Sequence, residues 1–281
     1  MKNILIKTLF VCLAILPTVV YSGTANDIPS CYKANKLSNN SSSDYELFVM
    51  VDQTTIFDSK LKSAIKENVR RLVKPGASFV VADFSSFSQG RYVEVLSAGT
   101  LEKTISDDER QDISVKLLRN FDNCMHGQLN YGMKIAANAL NTALGGSSSD
   151  LARSDVITSL KEFSGRVKSS TVKNKIVLIA SDMLENSSIT SFYSKQMLRQ
   201  IKPEEELKLV EKNGGFGDFG DAKIYVIGAG LLAEDAKQAK GVYRSPQSMQ
   251  ALSSFWKTWF QKSNGELVEF GQPALLNPIS F

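Results

Sequence analysis

The sequence predicts an α/β domain: a doubly wound, mostly parallel central sheet with one antiparallel edge hairpin and helices on both faces. Three observations predict it. Short apolar runs, typical of strands that are buried on both faces, recur along the chain. Segments with apolar residues at helical spacing separate most of these runs, and two runs follow each other closely enough for a hairpin. Strands alternating with helices are the pattern of a parallel sheet.

A targeting segment opens the chain. Lys2 and Lys7 flank the start of an apolar run at 9–20, which is shorter than the roughly 20 residues that span a bilayer. This pattern predicts a cleaved signal peptide over residues 1–22, and the alternative is an uncleaved anchor. We therefore expect a protein of the bacterial periplasm or a secreted protein, without stable membrane insertion after cleavage.

The rest of the chain divides into two parts. Residues 23–44 form a polar lead-in, rich in Ser and Asn, that we expect to be flexible. Residues 45–281 have a length that suits a single domain. The 33 Lys and Arg residues exceed the 29 Asp and Glu residues by four, and two of these lysines belong to the leader. The mature chain is thus nearly neutral, and we expect no nucleic-acid partner.

Each element of the domain follows from its local pattern. Strands are predicted where apolar residues run together, at 46–52, 78–84, 91–96, 175–181, 224–228 and 267–270. Helices are predicted where apolar residues recur at helical spacing, at 57–73, 107–144 with a break near Asp122–Asn123, 155–167, 190–201, 203–213 and 246–263. Residues 87–90 form the hairpin turn. The last helix carries four aromatic residues spaced to pack against the sheet, Phe255, Trp256, Trp259 and Phe260.

Cysteine and histidine are both scarce. Once the leader with Cys12 is removed, Cys31 and Cys124 remain. Two thiols in an oxidising compartment favour a disulfide, here between the lead-in and a mid-chain helix; the alternative is two separate buried thiols. The chain has one histidine, His126, which excludes a multi-histidine zinc site. We expect it to be a surface or packed side chain rather than a catalytic base.

Acidic residues end two of the predicted strands. Asp52 ends the first strand, and Asp182 follows the strand 175–181. Ligands of open α/β sheets bind beyond the carboxyl ends of the strands, so we expect the two carboxylates to converge. Thr54 and Ser154, which precedes a later helix, add hydroxyl groups. The set predicts a metal or polar-ligand site, and the alternative is that both aspartates cap helices and accept hydrogen bonds from loop amides.

This constellation resembles the von Willebrand factor A family. The resemblance covers residues 45–271 and includes the order of the elements as well as Asp52-Gln53-Thr54, the helix led by Ser154, and the strand ending in Ser181-Asp182. It implies a divalent ion, usually Mg²⁺, held by four side chains: Asp52, Thr54, Ser154 and Asp182. Such an ion prefers hard oxygen ligands and keeps several waters. The family resemblance also implies that a carboxylate of a partner protein completes the shell.

The sequence departs from the family pattern in the first motif and after the second aspartate. Ile56 stands where the motif has a hydroxyl residue and cannot ligate a metal. Thr55 is adjacent but points elsewhere on a regular backbone. Met183 follows Asp182, where the family usually has Gly.

Three functions are compatible with this sequence. The first is an exported module that binds another protein, with a degenerate magnesium site at the carboxyl ends of the strands. The second is an assembly component of a cell-envelope apparatus that uses the same fold without a metal. The third is a metal-assisted phosphoesterase based on Asp52 and Asp182, which ranks last because no nearby base is identifiable. We therefore expect a protein that is not an enzyme.

Overall fold

The computed structural model describes residues 26, 28–39, 41–85, 93–147, 154–194, 197–231 and 245–280. The predicted signal peptide and the predicted hairpin turn at 87–90 lie outside these ranges. Within them, no helix combines the length and the apolar character that a bilayer crossing requires.

Strands and helices alternate along most of the described chain. The strands are β1 (Tyr45–Asp52), β2 (Ala77–Phe84), β3 (Val93–Thr100), β4 (Lys175–Ala180), β5 (Tyr193–Ser194), β6 (Met197–Leu198), β7 (Ala222–Ile227) and β8 (Gly265–Phe270). The helices are α1 (Cys31–Ala34), α2 (Ser59–Leu72), α3 (Asp107–Arg110), α4 (Val115–Gly145), α5 (Val156–Ser169), α6 (Pro203–Lys212) and α7 (Pro246–Lys262).

Six of these strands form the central sheet, in the order β3-β2-β1-β4-β7-β8. All neighbours pair in parallel except β2 and β3, which are antiparallel at one edge. The predicted fold class is therefore confirmed. The chain builds outward from β1 through β2 and β3, and then returns to add β4 on the other side. The carboxyl ends of β1 and β4 thus flank the point where the strand order reverses, which is where open α/β sheets bind ligands.

Helices cover both faces of the sheet. Alternate residues of β1 enter different apolar clusters, because successive side chains of a strand point to opposite faces. Phe48 and Met50 join a cluster with α5, α6 and α7, whereas Leu47 and Val49 join a cluster with α2 and α4. The four aromatic residues of α7 are fully buried in the first of these clusters, so their predicted packing is confirmed.

The long helix α4 differs from its prediction. It begins at Val115 rather than at 107 and runs without interruption through Asp122–Asn123, so the predicted break there is wrong. Buried Phe121 and Met125 lie four residues apart on either side of that position, and they keep one face of the helix in the core. Asp122 is exposed beside this buried face and pairs with Arg110.

The predicted helix at 190–201 is also wrong. Its described residues include β5 and β6, which pair antiparallel. Side-chain hydrogen bonds support this hairpin: the Ser191 hydroxyl accepts from the Tyr193 amide, and the Arg199 guanidinium donates to the Ser191 carbonyl and to Glu206. Serine side chains that bond nearby backbone groups compete with helix formation.

The segment 28–32 of the lead-in is packed on the domain, where the sequence indicated a flexible segment. Ile28 and Tyr32 are buried, and the Tyr32 ring meets the Phe121 ring edge-on at a centroid distance of 4.8 Å. Cys31 and Cys124 form the predicted disulfide, which joins α1 to α4. A structural disulfide indicates an oxidising compartment. His126, two residues further along α4, is exposed.

Candidate functional site

Asp52, the last residue of β1, is fully buried. The chain turns at residues 53 and 54, and this turn brings Thr54 back over the end of the strand. Asp52 Oδ1 accepts hydrogen bonds from the Thr54 amide at 2.8 Å and from the Thr54 hydroxyl at 2.6 Å. A short acidic side chain that accepts from the amide two residues on stabilises such a turn. Thr54 itself is half-buried, so it marks the accessible side of the site.

Two serines complete a cluster around this carboxylate. Ser154 lies just before α5, and its Oγ is 3.1 Å from Thr54 Oγ1 and 3.5 Å from Asp52 Oδ2. Ser181, directly after β4, donates to Asp52 Oδ2 at 2.7 Å. We call Asp52, Thr54, Ser154 and Ser181 the Asp52 cluster. The structure therefore brings together three of the four predicted ligands and adds one residue that the prediction missed.

The fourth predicted ligand, Asp182, has different partners. Its Oδ1 accepts from the Leu184 amide at 2.8 Å, and its Oδ2 lies 3.4 Å from the Tyr193 hydroxyl. The Asp182 amide donates to Thr55 Oγ1 at 3.0 Å. Thr55 is buried and points toward the loop after β4, because the backbone before it forms a turn rather than a regular strand. Asp182 is thus joined to the first motif through its backbone.

Met183, which follows Asp182, adopts a left-handed backbone conformation. Its φ is 59°, in the left-handed region that costs an L-residue roughly 1–2 kcal/mol. Two hydrogen bonds hold it there: its amide donates to Ser181 Oγ at 2.9 Å, and its carbonyl accepts from Trp256 Nε1 at 2.8 Å. On the other side of the loop, the Gly230 amide donates to the Asp182 carbonyl at 2.8 Å. These hydrogen bonds therefore hold a methionine in a conformation that glycine adopts at lower cost.

A second buried carboxyl group, Glu185, lies in the loop after β4, against the first turn of α5. Its Oε2 accepts from the Ile157 amide in the first turn of α5 at 2.7 Å. Burial raises the pKa of Glu185 to about 8, opposed by hydrogen bonds from Ser187 and Ile157 and reinforced by the charges of Asp155 and Asp52. Burial also raises the pKa of Asp52, against the hydrogen bonds from Thr54 and Ser181. Both carboxyl groups thus sit where a negative charge is poorly stabilised.

We expect the protein to lose stability as the pH rises through the neutral range. The folded state retains the Glu185 proton up to about pH 8, whereas the unfolded chain releases it near its ordinary pKa. Between these values the folded state binds more protons, so the free energy of unfolding falls with pH. The slope should be roughly 1 kcal/mol per pH unit between pH 5.5 and 7.5. Urea denaturation in EDTA at several pH values measures it.

The variant Glu185→Gln is the control for this pH dependence. It keeps an oxygen acceptor for the Ile157 amide but cannot titrate, so its stability should fall less steeply over the same range. The slope that remains comes from other groups such as Asp52, whose pKa burial also raises. Equal slopes for the two proteins would contradict the assignment to Glu185.

A divalent cation with oxygen ligands fits the Asp52 cluster. Oxygens at adjacent corners of an octahedral Mg²⁺ shell lie about 2.9 Å apart, given Mg–O distances of about 2.0–2.1 Å. Thr54 Oγ1 lies 2.6 Å from Asp52 Oδ1 and 3.1 Å from Ser154 Oγ, values on either side of that spacing. No group of three His, Cys, Asp or Glu side chains that could hold a metal is present in the described ranges. A cation bound here would therefore depend on hydroxyl groups and water as well as on carboxylate.

The sequence contained weak signals for the residues that the prediction missed. Ser181 and Thr55 adjoin Asp182 and the first motif, and both are polar residues beside buried strands. Their hydroxyl directions, however, depend on the turns that follow the strands. No feature of the sequence pointed to the burial of Glu185, because an acidic residue in a polar loop is ordinarily exposed.

Comparison with known proteins identifies no family. No protein-family model matches the chain, and no curated protein matches it either. Solved structures give weak similarities. Proximal thread matrix protein 1 from the mussel byssus is 16% identical with a TM-score of 0.32, and the alignment covers 79% of this chain and 49% of that one. This chain therefore spans about half the length of that protein.

Two bacterial surface proteins give similar values. The PilB minor pilin from Streptococcus sanguinis is 11% identical with a TM-score of 0.33, over 81% of this chain and 63% of that one. The pilus adhesin SpaC from Lactobacillus rhamnosus GG is 12% identical with a TM-score of 0.34, and the alignment covers 79% of this chain and 30% of that one. With TM-scores below 0.5, none of these structures assigns the chain to a class.

Proposed function

We propose that this chain is an exported module of the von Willebrand factor A type that binds another protein through the carboxyl edge of its sheet. One observation supports the proposal above the others. Thr54 and Ser154 are 100 residues apart in the chain, yet their hydroxyl oxygens lie 3.1 Å apart beside the buried Asp52. They meet at the point where the strand order reverses, which is the usual ligand position in this architecture.

In this proposal the Asp52 cluster holds a magnesium ion. Asp52 provides the negative charge, Thr54 and Ser154 provide neutral oxygen ligands, and the carboxylate of Asp182 acts directly or through water. When bound, the ion would supply a positive charge at the surface, and a carboxylate of the partner protein would ligate the ion. The half-buried Thr54 places this contact on the accessible side of the site. The module recognises a partner and carries out no reaction.

The proposed location is the bacterial periplasm or the cell exterior. The leader at 1–22 supports export, and the disulfide between Cys31 and Cys124 fits an oxidising compartment.

The variant Asp52→Asn should abolish cation binding. It replaces the carboxylate at the centre of the cluster by a neutral amide of the same shape, and the remaining Asp182 carboxylate bonds to its own loop rather than to Thr54 and Ser154. Isothermal titration with MgCl₂ and MnCl₂, after removal of metal with EDTA, measures the effect. The matched control is Asp112→Asn, which alters an exposed carboxylate between α3 and α4. Wild-type protein that binds neither ion would contradict the metal-bridged form of the proposal.

A metal-independent assembly component of a cell-envelope apparatus is the second candidate. The observation that favours it is that both carboxylate oxygens of Asp52 accept hydrogen bonds from within the chain, Oδ1 from Thr54 and Oδ2 from Ser181. Capture of envelope proteins in EDTA by wild type and by Asp52→Ala/Asp182→Ala separates the candidates. A partner retained equally by both proteins supports the second candidate, and a partner lost by the variant and by EDTA treatment supports the first.

A further inference from the structure

A groove between α2 and α4 lies apart from the candidate site. Both helices cover the same face of the sheet, and the space between them has a volume of about 270 Å³. α2 returns from the carboxyl end of β1 to the start of β2, so its second half, which lines the groove, lies toward the amino ends of the strands. The Asp52 cluster lies at the opposite, carboxyl edge of the sheet. The groove is therefore a separate feature of the molecule.

The floor of the groove is apolar. Val69 and Val73 line it on the side of α2, and Ala136 and Leu140 line it on the side of α4. All four residues belong to the apolar cluster that covers this face of the sheet. Ala136 and its neighbour Ala137 contribute only a methyl group each, which leaves space between the helices. An engineered apolar cavity of about 150 Å³ binds benzene, so this groove has room for a ring or a short aliphatic chain.

The rim of the groove is positively charged. Lys66 and Arg70 lie about one turn apart on α2, line the groove and are exposed. α2 contains five basic residues and one acidic residue, Glu67, and its net charge of +4 equals that of the whole chain. Glu67 pairs with Arg70 and Arg71, so it balances only part of this charge. On the other side, residues 129–145 of α4 include no acidic residue. The helices that form the groove therefore attract an anion.

We propose that this groove binds an amphipathic organic anion, in which a short aliphatic chain or a ring carries one carboxylate. The apolar body lies against the floor, and the carboxylate pairs with Lys66 and Arg70 at the rim. Small-molecule sites combine an apolar lining with a few polar groups that fix the orientation of the ligand. A neutral apolar molecule would use the floor alone and an inorganic anion the rim alone, so only a ligand with both parts uses the whole groove. The inference is independent of the Asp52 cluster and needs no metal.

Titration of the full chain with sodium octanoate in EDTA, followed by heteronuclear NMR, tests the inference. Saturable binding should shift the methyl signals of the floor residues. Octanoate should bind about tenfold more tightly than hexanoate, since each additional buried methylene group favours binding roughly 3- to 4-fold. The variant Lys66→Gln/Arg70→Gln should bind octanoate about fivefold more weakly but octan-1-ol as tightly as wild type. The control Lys60→Gln/Arg71→Gln removes the same charge from exposed positions of α2 outside the groove, and should bind octanoate nearly as wild type does.

A second pair of variants tests the floor of the groove. Ala137→Phe fills the groove from an exposed position of α4 and should abolish the binding of octanoate and of octan-1-ol. Asn138→Phe adds the same ring at the next exposed position, outside the groove, and should bind both, while melting temperatures show that each variant is folded. Absence of saturable octanoate binding by wild type, or equal binding by these two variants, would overturn the inference. Equal octanoate affinities of the two charge variants would overturn the assignment of an anionic ligand.

Discussion

Replacing Trp256 by alanine should lower the free energy of unfolding by about 3–5 kcal/mol, the usual cost of removing a buried aromatic side chain. Trp256 is fully buried, and its ring meets those of Phe255 and Trp259 at centroid distances of 5.1 and 5.5 Å. The truncation also removes the donor to the Met183 carbonyl. Guanidinium denaturation followed by far-ultraviolet circular dichroism measures the change.

Two further variants separate the contributions at this position. Lys257→Ala alters the next residue of α7, which is exposed, and should change stability by no more than about 0.5 kcal/mol. Trp256→Phe keeps a ring in the core but removes the N–H donor, so we expect an intermediate loss. A Trp256→Ala protein as stable as Lys257→Ala would contradict the assignment of this residue to the core.

Removing the disulfide with Cys31→Ser/Cys124→Ser should cost about 4 kcal/mol of stability. The bond joins residues 93 positions apart, and in the chain-entropy model a cross-link over a loop of that length greatly restricts the unfolded state. The surrounding apolar cluster is small, with Tyr32, Ile105, Phe121 and Met125 as its other buried members. The bond should therefore provide much of the attachment of the lead-in. Urea denaturation of both proteins gives the difference.

Reduction provides the control for this prediction. Dithiothreitol should lower the stability of wild type to that of the double variant and should have no effect on the variant itself. Limited proteolysis of the variant should cut first in the lead-in, whose remaining anchors include the bond from the Cys31 amide to Glu102. Equal stability of the oxidised wild type and the variant would contradict the prediction, because it would show that the cross-link does not restrict the conformational freedom of the unfolded chain.

Most of the sheet could be predicted because its pattern is local. The strands of the central sheet are short apolar runs, and the helices between them impose parallel pairing. The two incorrect helix predictions involve contacts that no local pattern reveals. Asp122–Asn123 resembles a break, yet Phe121 and Met125 anchor the helix on both sides of it. The segment that contains β5 and β6 is stabilised as a hairpin by Arg199 and Glu206, which act on it from outside.

The candidate site was predictable to the extent that strand ends determine it. Asp52 ends β1 and Asp182 lies two residues after β4, the parallel neighbour of β1, so their place at the same edge of the sheet follows from topology. The partners of each carboxylate do not follow from it. Asp52 bonds to Thr54 and Ser181, whereas Asp182 bonds to Leu184 in its own loop. A hydrogen bond requires the donor and acceptor atoms to lie within a few tenths of an ångström of the ideal distance. The geometry of the turns after the strands determines these positions.

The sequence by itself determined the fold class, the pairing of Cys31 with Cys124 as the favoured disulfide, and the edge of the sheet where polar groups collect. These depend on composition, periodicity and strand order, which are properties of segments. Only the tertiary structure decided that Thr55 is buried, that Met183 takes a left-handed backbone conformation, and that Glu185 is buried against the start of α5. These depend on how distant segments pack, because burial and hydrogen bonding are set by neighbours far away in the chain.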